Sequence, residues 1–152
     1  MLNAIKNLLR SAASPSSTEL PEDEGQLLAS AAAMLLFEVA WADHEMGADE
    51  ITLIEESLQN LFDLSAATTE WLVTDARAKH EASVGLYEYT RTINEVLEAD
   101  EKFELMVSLW RLAHSDKKLH ALEEHAIRRI SELLYVPHAQ FIKAKQQAQR
   151  AP

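Results

Sequence analysis

No cysteine occurs in this chain of 152 residues. Disulfides, thiolate nucleophiles and cysteine-ligated zinc are therefore excluded, and any metal must be held by oxygen or imidazole. Turn formers are scarce as well. Three glycines and four prolines are too few to punctuate a strand-rich fold, and no segment alternates apolar and polar residues for long enough to read as a strand. No run approaches about 18 apolar residues, the length a membrane-spanning helix needs. Positive charge is in deficit: 14 Lys and Arg stand against 25 Asp and Glu, a formal charge of -11. That field repels phosphate backbones and anionic lipid head groups, so nucleic acid is not an expected ligand. There is no glycine-rich phosphate loop, and Ser57, Ser65, Ser83 and Ser108 have no recognisable nucleophile setting.

What remains is an ordinary folded-domain composition, 47% hydrophobic and 26% charged, in a chain long enough for one domain with a sizeable core. The first ten residues place Leu2, Ile5, Leu8 and Leu9 on one helical stripe beside Lys6 and Arg10. Asn and Lys interrupt them, so the segment reads as a short amphipathic helix of a cytoplasmic protein rather than a secretory signal. Its stripe would dock on the body of the protein, on a partner protein, or peripherally on a membrane, in that order. Ser11 to Gly25 is small, polar and proline-containing, a linker. The expected organisation is thus residues 1–24 as leader and linker and 25–152 as the helical domain.

Leu27 to Ala42 is dense in Ala, Leu, Met and Phe, with little polarity beyond Ser30 and Glu38, and predicts a central buried helix. Alanines at 29, 31, 32 and 33 would let neighbouring helices approach closely. Further stripes run through Ile51 to Phe62, around Trp71 to Val73 with Ser65 as cap, and through Tyr87 to Leu97. Others run from Phe103 to Ala113 with Asp100 as candidate cap, from Ala126 to Leu134, and beyond Pro137 through Phe141 and Ala148. The three tryptophans are expected to fill the core, Trp41 being the exception to look for. The predicted fold is all-α, a compact bundle of about seven helices.

One pattern occurs twice. Asp43, Met46, Glu50 and Ile54 recur 73 positions later as Asp116, Leu119, Glu123 and Ile127, and Leu36, Phe37, Val39 and Ala40 recur as Leu109, Trp110, Leu112 and Ala113. The match slips by one residue beyond Ile54. Such matching predicts two helix pairs about an approximate two-fold axis, each burying a face that neither buries alone. In each copy a helix-like run ends at an aspartate, and a glutamate heads the next run. The glutamates stand three positions after Gly47 and His120, where half of a capping box forms. The aspartates sit at helix C-termini, where negative charge opposes the dipole. They are expected either to accept backbone N–H bonds in the turn or to bind a cation.

The two loops with their flanking Phe37 and Trp110 helices resemble the tellurite-resistance protein B family, called TerB-like, over roughly residues 25 to 148. The resemblance implies a helical bundle with internal pseudo-symmetry in the bacterial cytoplasm, linked in some members to tellurite and other stress resistance. It also implies a likeness to the N-terminal part of a membrane-anchored J-domain co-chaperone. A metal-linked role implied for the acidic loops falls here on Asp43, Glu50, Asp116 and Glu123. His44 and Lys117 stand where the family commonly has glycine, and Lys117 and Lys118 put positive charge beside Asp116.

Four carboxylates from two loops, supplemented by Glu45 and Asp49 in the first and His120 in the second, form an oxygen-rich set suited to calcium, magnesium or manganese. A zinc alternative uses His114, Asp116, His120 and Glu124, the last two one helical turn apart. The expected function is a non-enzymatic interaction or stress-response module with a protein partner and a divalent cation. The alternative is a metal-dependent enzyme using the same carboxylates.

Overall fold

The computed structural model describes residues 24–42, 47–81, 85–115 and 121–150. Among them are seven helices and no strand: α1 (Glu24–Ala40), α2 (Ala48–Phe62), α3 (Ala66–Glu81), α4 (Tyr87–Val96), α5 (Ala99–Ala113), α6 (Ala121–Leu133) and α7 (His138–Arg150). The all-α expectation holds. The leader, residues 1–10, and nearly all of the linker lie outside the described residues, as do Asp43, Glu45, Asp116 and His120.

The bundle is built around α1. From Leu28 to Ala40 every residue except Glu38 is buried, so this stretch has no continuous solvent face, and α2 to α6 all pack against α1. Ala29, Ala31, Ala32 and Ala33 are at most 1% exposed. Small side chains on several faces are what allow that many helix axes to approach one helix. Leu28, Leu35, Leu36 and Phe37 fill the spaces between, and α5 carries the second dense stripe, from Leu105 to Ala113.

Helix limits follow the duplicated sequence. α1 ends at Ala40 and α5 at Ala113, and α2 begins at Ala48 and α6 at Ala121, in each case 73 positions apart. The matched residues Leu36 and Leu109, Phe37 and Trp110, Val39 and Leu112, and Ile54 and Ile127 are all buried. α3 lies along α1 as α7 lies along α5, and α2 touches α5 as α6 touches α1. α4 has no counterpart and packs on α1.

Local chemistry sets the helix ends. Ser65 Oγ accepts from the Thr68 N–H at 3.2 Å, the expected cap of α3. Asp100 is not the cap of α5. Glu98 is, in a reciprocal box in which the Glu98 N–H donates to Glu101 Oε1 at 2.8 Å, so Asp100 falls within the first turn, where its charge suits the dipole. α2 closes on Asp63 in the left-handed region at φ 54. α6 closes with the Val136 N–H donating to Ser131 O at 3.0 Å and the Tyr135 N–H to Glu132 O at 3.1 Å, a Schellman-type end whose left-handed residue is Tyr135 at φ 58. Two of the three tryptophans leave the core: Trp110 is fully buried, whereas Trp41 is 38% and Trp71 42% exposed. Trp71 departs from expectation because Leu72, Val73 and Ala76 supply the inward face of α3.

Leu36→Ala is expected to cost about 2–5 kcal/mol and Ala33→Leu about 1–3 kcal/mol through overpacking, measured by urea unfolding. Leu27→Ala, at a position 54% exposed, should stay within about 0.5 kcal/mol of wild type.

Candidate functional site

The C-terminus of α1 delivers the chain to the first acidic loop and is clamped from the side by α3. His80 Nε2 lies 3.2 Å from Glu38 Oε2, and the same imidazole contacts Phe37 and meets Trp41 edge-on, with centroids 6.4 and 6.5 Å away. Glu38, the one polar interruption in the apolar run, is therefore paired across helices. Its partner is 42 positions away, which no local spacing could reveal. On the far side of the loop Gly47 caps α2 with extended backbone and no side-chain hydrogen bond. Asp49 is exposed and Glu50 half-buried in the first helical turn, where the helix dipole favours carboxylates.

The second loop is entered from α5. His114 stacks on Trp110 at 5.8 Å and 17°, and Trp110 meets Phe141 of α7 edge-on at 5.2 Å. Cations cover these rings: Lys145 Nζ is 5.1 Å from the Trp110 centroid and the Arg128 guanidinium 4.8 Å from that of Phe141. Glu124 Oε1 sits 3.6 Å from Arg128 and 3.7 Å from Lys145. That carboxylate is shared between two cations, and of the zinc alternative's other members Asp116 and His120 lie outside the described residues. Glu123, just after the loop, is only 4% exposed and is held by interactions of its own.

Of the predicted ligands, Glu50, Asp49 and Glu123 are thus placed in the first turns of α2 and α6, and the remaining four fall on undescribed loop residues. No three His, Asp or Glu side chains among the described residues are grouped to share a metal ion. α2 packs on α1, α3 and α5, and α6 packs on α1, α4 and α5.

A hollow absent from the sequence reading lies at the opposite end of α5. A groove of about 630 Å³ runs between the first turns of α5 and the α6–α7 turn, with Ala99, Phe103, Val136 and Pro137 as its apolar lining and Asp100 and Glu104 as acidic groups. Tyr135, 80% exposed, lines both this groove and a second hollow of about 220 Å³ against Tyr87, Asn94 and Leu133 of the neighbouring helices. Lys102 also lines the groove, but its ammonium is engaged, donating to Leu134 O at 3.0 Å, while Asn94 Nδ2 donates to Leu133 O at 2.9 Å. These bonds satisfy the last carbonyls of α6 and place a cation at its negative end.

Residues 29–146 match the family model described as Tellurite resistance protein TerB. The chain belongs to the TerB family. No match to a curated protein was found. The TerB bundle is similar in fold to a solved structure of a Porphyromonas gingivalis protein of unknown function, at 15% identity and a TM-score of 0.61, covering 83% of this chain and 96% of that one. No helix of the described TerB domain is long and apolar enough to cross a membrane.

Burial lowers the Lys102 ammonium below its ordinary 10.5. Between that lowered value and 10.5 the unfolded chain holds the extra proton, so this group adds stability as pH rises. The Tyr89 phenol is raised above 10.0, chiefly by burial, and acts in reverse, costing stability above that pH because the folded chain retains the proton. Lys102→Met is therefore expected to lose the alkaline gain and keep the fall from Tyr89, read as the difference between the two proteins' urea unfolding free energies from about pH 8 upward.

Proposed function

We propose that this TerB-family chain is a non-enzymatic interaction and stress-response module of the cytoplasm that takes up a divalent cation at its two acidic loops. The ligands are Asp43 and Glu50 from the first loop and Asp116 and Glu123 from the second, with Glu45, Asp49 and His120 as further donors. The observation that carries this reading is the burial of Glu123, 4% exposed in the turn directly after the loop. The equivalent Glu50 is half-buried in its own first turn. Carboxylates held where water is scarce bind a hard cation more strongly than the same groups in bulk solvent.

The donor set favours calcium, magnesium or manganese over zinc, because it is nearly all oxygen and Glu124 is committed to Arg128 and Lys145. A protein partner is supported by the exposed aromatic rings Tyr87, Tyr135 and Trp71, a residue class enriched at interfaces. Nothing among the described residues favours a metal-dependent enzyme over binding.

Wild-type protein is expected to gain melting temperature with at least one of calcium, magnesium, manganese or zinc, and Asp43→Asn with Asp116→Asn to lose that gain. Absence of any cation-dependent gain in the wild type would overturn the reading.

A further inference from the structure

The groove beside Tyr135 has an unusual wall. Its aromatic ring is carried on a left-handed residue, φ 58, and is 80% exposed. A bulky side chain in that region is strained, and the usual occupant of a Schellman position is glycine. At the matching end of α2 the left-handed residue is Asp63, a type that tolerates the conformation. The tyrosine gains nothing from burial to offset its strain, yet its ring extends the apolar wall that Phe103, Val136 and Pro137 begin.

The surface is also charged in one sense. Asp100 and Glu104 line the groove, while the one lysine among its lining residues is tied to Leu134 O. An apolar floor with an acidic edge suits an amphipathic helix whose flanks are basic. The sequence of residues 1–10 has that pattern: at helical spacing Leu2, Ile5, Leu8 and Leu9 fall on one stripe, with Lys6 and Arg10 four positions apart beside it. These are two of only 14 basic residues in a chain of net charge -11.

Reach is sufficient. The residues between Arg10 and Glu24 number 13, and at about 3.3 Å each they span about 40 Å, well beyond the roughly 14 Å radius of gyration expected of a domain this size. Tethering of this length holds the segment at an effective concentration near millimolar, so even modest groove affinity suffices to dock it.

We infer that the groove bounded by Phe103, Tyr135, Val136 and Pro137 is the docking site of this chain's own residues 1–10, with their apolar positions toward the groove floor and Lys6 and Arg10 toward Asp100 and Glu104. Docking covers the exposed Tyr135 ring and the groove floor. The inference is independent of cation binding at the acidic loops.

Because the chain has no native cysteine, a single spin label can be attached to the full-length protein through Asn7→Cys, on the face opposite the apolar stripe. Isotope-labelled chain is diluted into unlabelled, unmodified chain so that only intramolecular effects survive. Paramagnetic loss of amide signal is expected at Phe103, Glu104, Tyr135 and Val136, and it should vanish when Ile5→Asp and Leu8→Asp are added. Tyr135→Gly relieves the backbone strain, so it should fold with undiminished melting temperature and lose the same broadening. Signal loss at other helices, loss that disappears on dilution and so reports a second copy, or broadening unchanged in Tyr135→Gly would overturn the assignment. So would a leader that leaves the groove unbroadened yet brings the protein down with anionic phosphatidylserine vesicles.

Discussion

The organising constraint is that α1, from Leu28 to Ala40, leaves only Glu38 partly open to water. A helix so buried must be met by neighbours around its whole girth, and five of the other six described helices meet it. Close approach is possible only because its interior is studded with alanines while leucine, methionine and phenylalanine fill the gaps. Overpacking or a cavity at any of these positions strains the packing around it, because a close-packed interior transmits strain. The acidic loops inherit their positions from this arrangement. Both follow the last turn of a buried helix, α1 or α5, and lead into a helix, α2 or α6, that packs on both of those buried helices.

Polar groups are placed where the packing leaves them unsatisfied ends to serve. Glu98 and Glu101 close the start of α5, and Asn94 and Lys102 reach across from α4 and α5 to the last carbonyls of α6. Glu38 and His80 pin α3 to the end of α1. Around the second loop the logic differs, because Arg128 and Lys145 both cover aromatic rings and neutralise Glu124. The two halves therefore share helix limits and core positions but not surface electrostatics. The first loop is flanked by a histidine–carboxylate pair, and the second by two cations.

Much of the fold was legible because it rests on periodicity. The run from Leu27 to Ala42 reads as a buried helix from its composition alone, and the 73-residue recurrence of Asp43 to Ile54 points to the two breaks between helices, although α1 stops at Ala40, short of Ala42. Ser65 announced itself as a cap. Asp100 reads as one too but is not, because Glu98, two positions earlier, makes the reciprocal bond with Glu101, and a glutamate at that place is not a usual signal. Trp71 looked like core because tryptophan is large and apolar, but the face of α3 that turns inward is set by Leu72 and Val73. The candidate site was readable only as residue types. Glu50 and Glu123 were found by the repeat, whereas the pairing of Glu38 with His80, the commitment of Glu124 to Lys145 and the groove under Tyr135 depend on contacts between distant segments that leave no local pattern. A tyrosine in a left-handed position carries no mark in sequence at all.

Amide hydrogen exchange under native conditions tests the central claim most directly, because it reads how each helix is released from the core. If α1 is the element on which the others rest, amides from Leu28 to Ala40 exchange only through global unfolding and are the slowest in the chain, slower than those of α3 and α7. Exchange of α1 by local opening while α3 or α7 remains protected would contradict a bundle assembled around it.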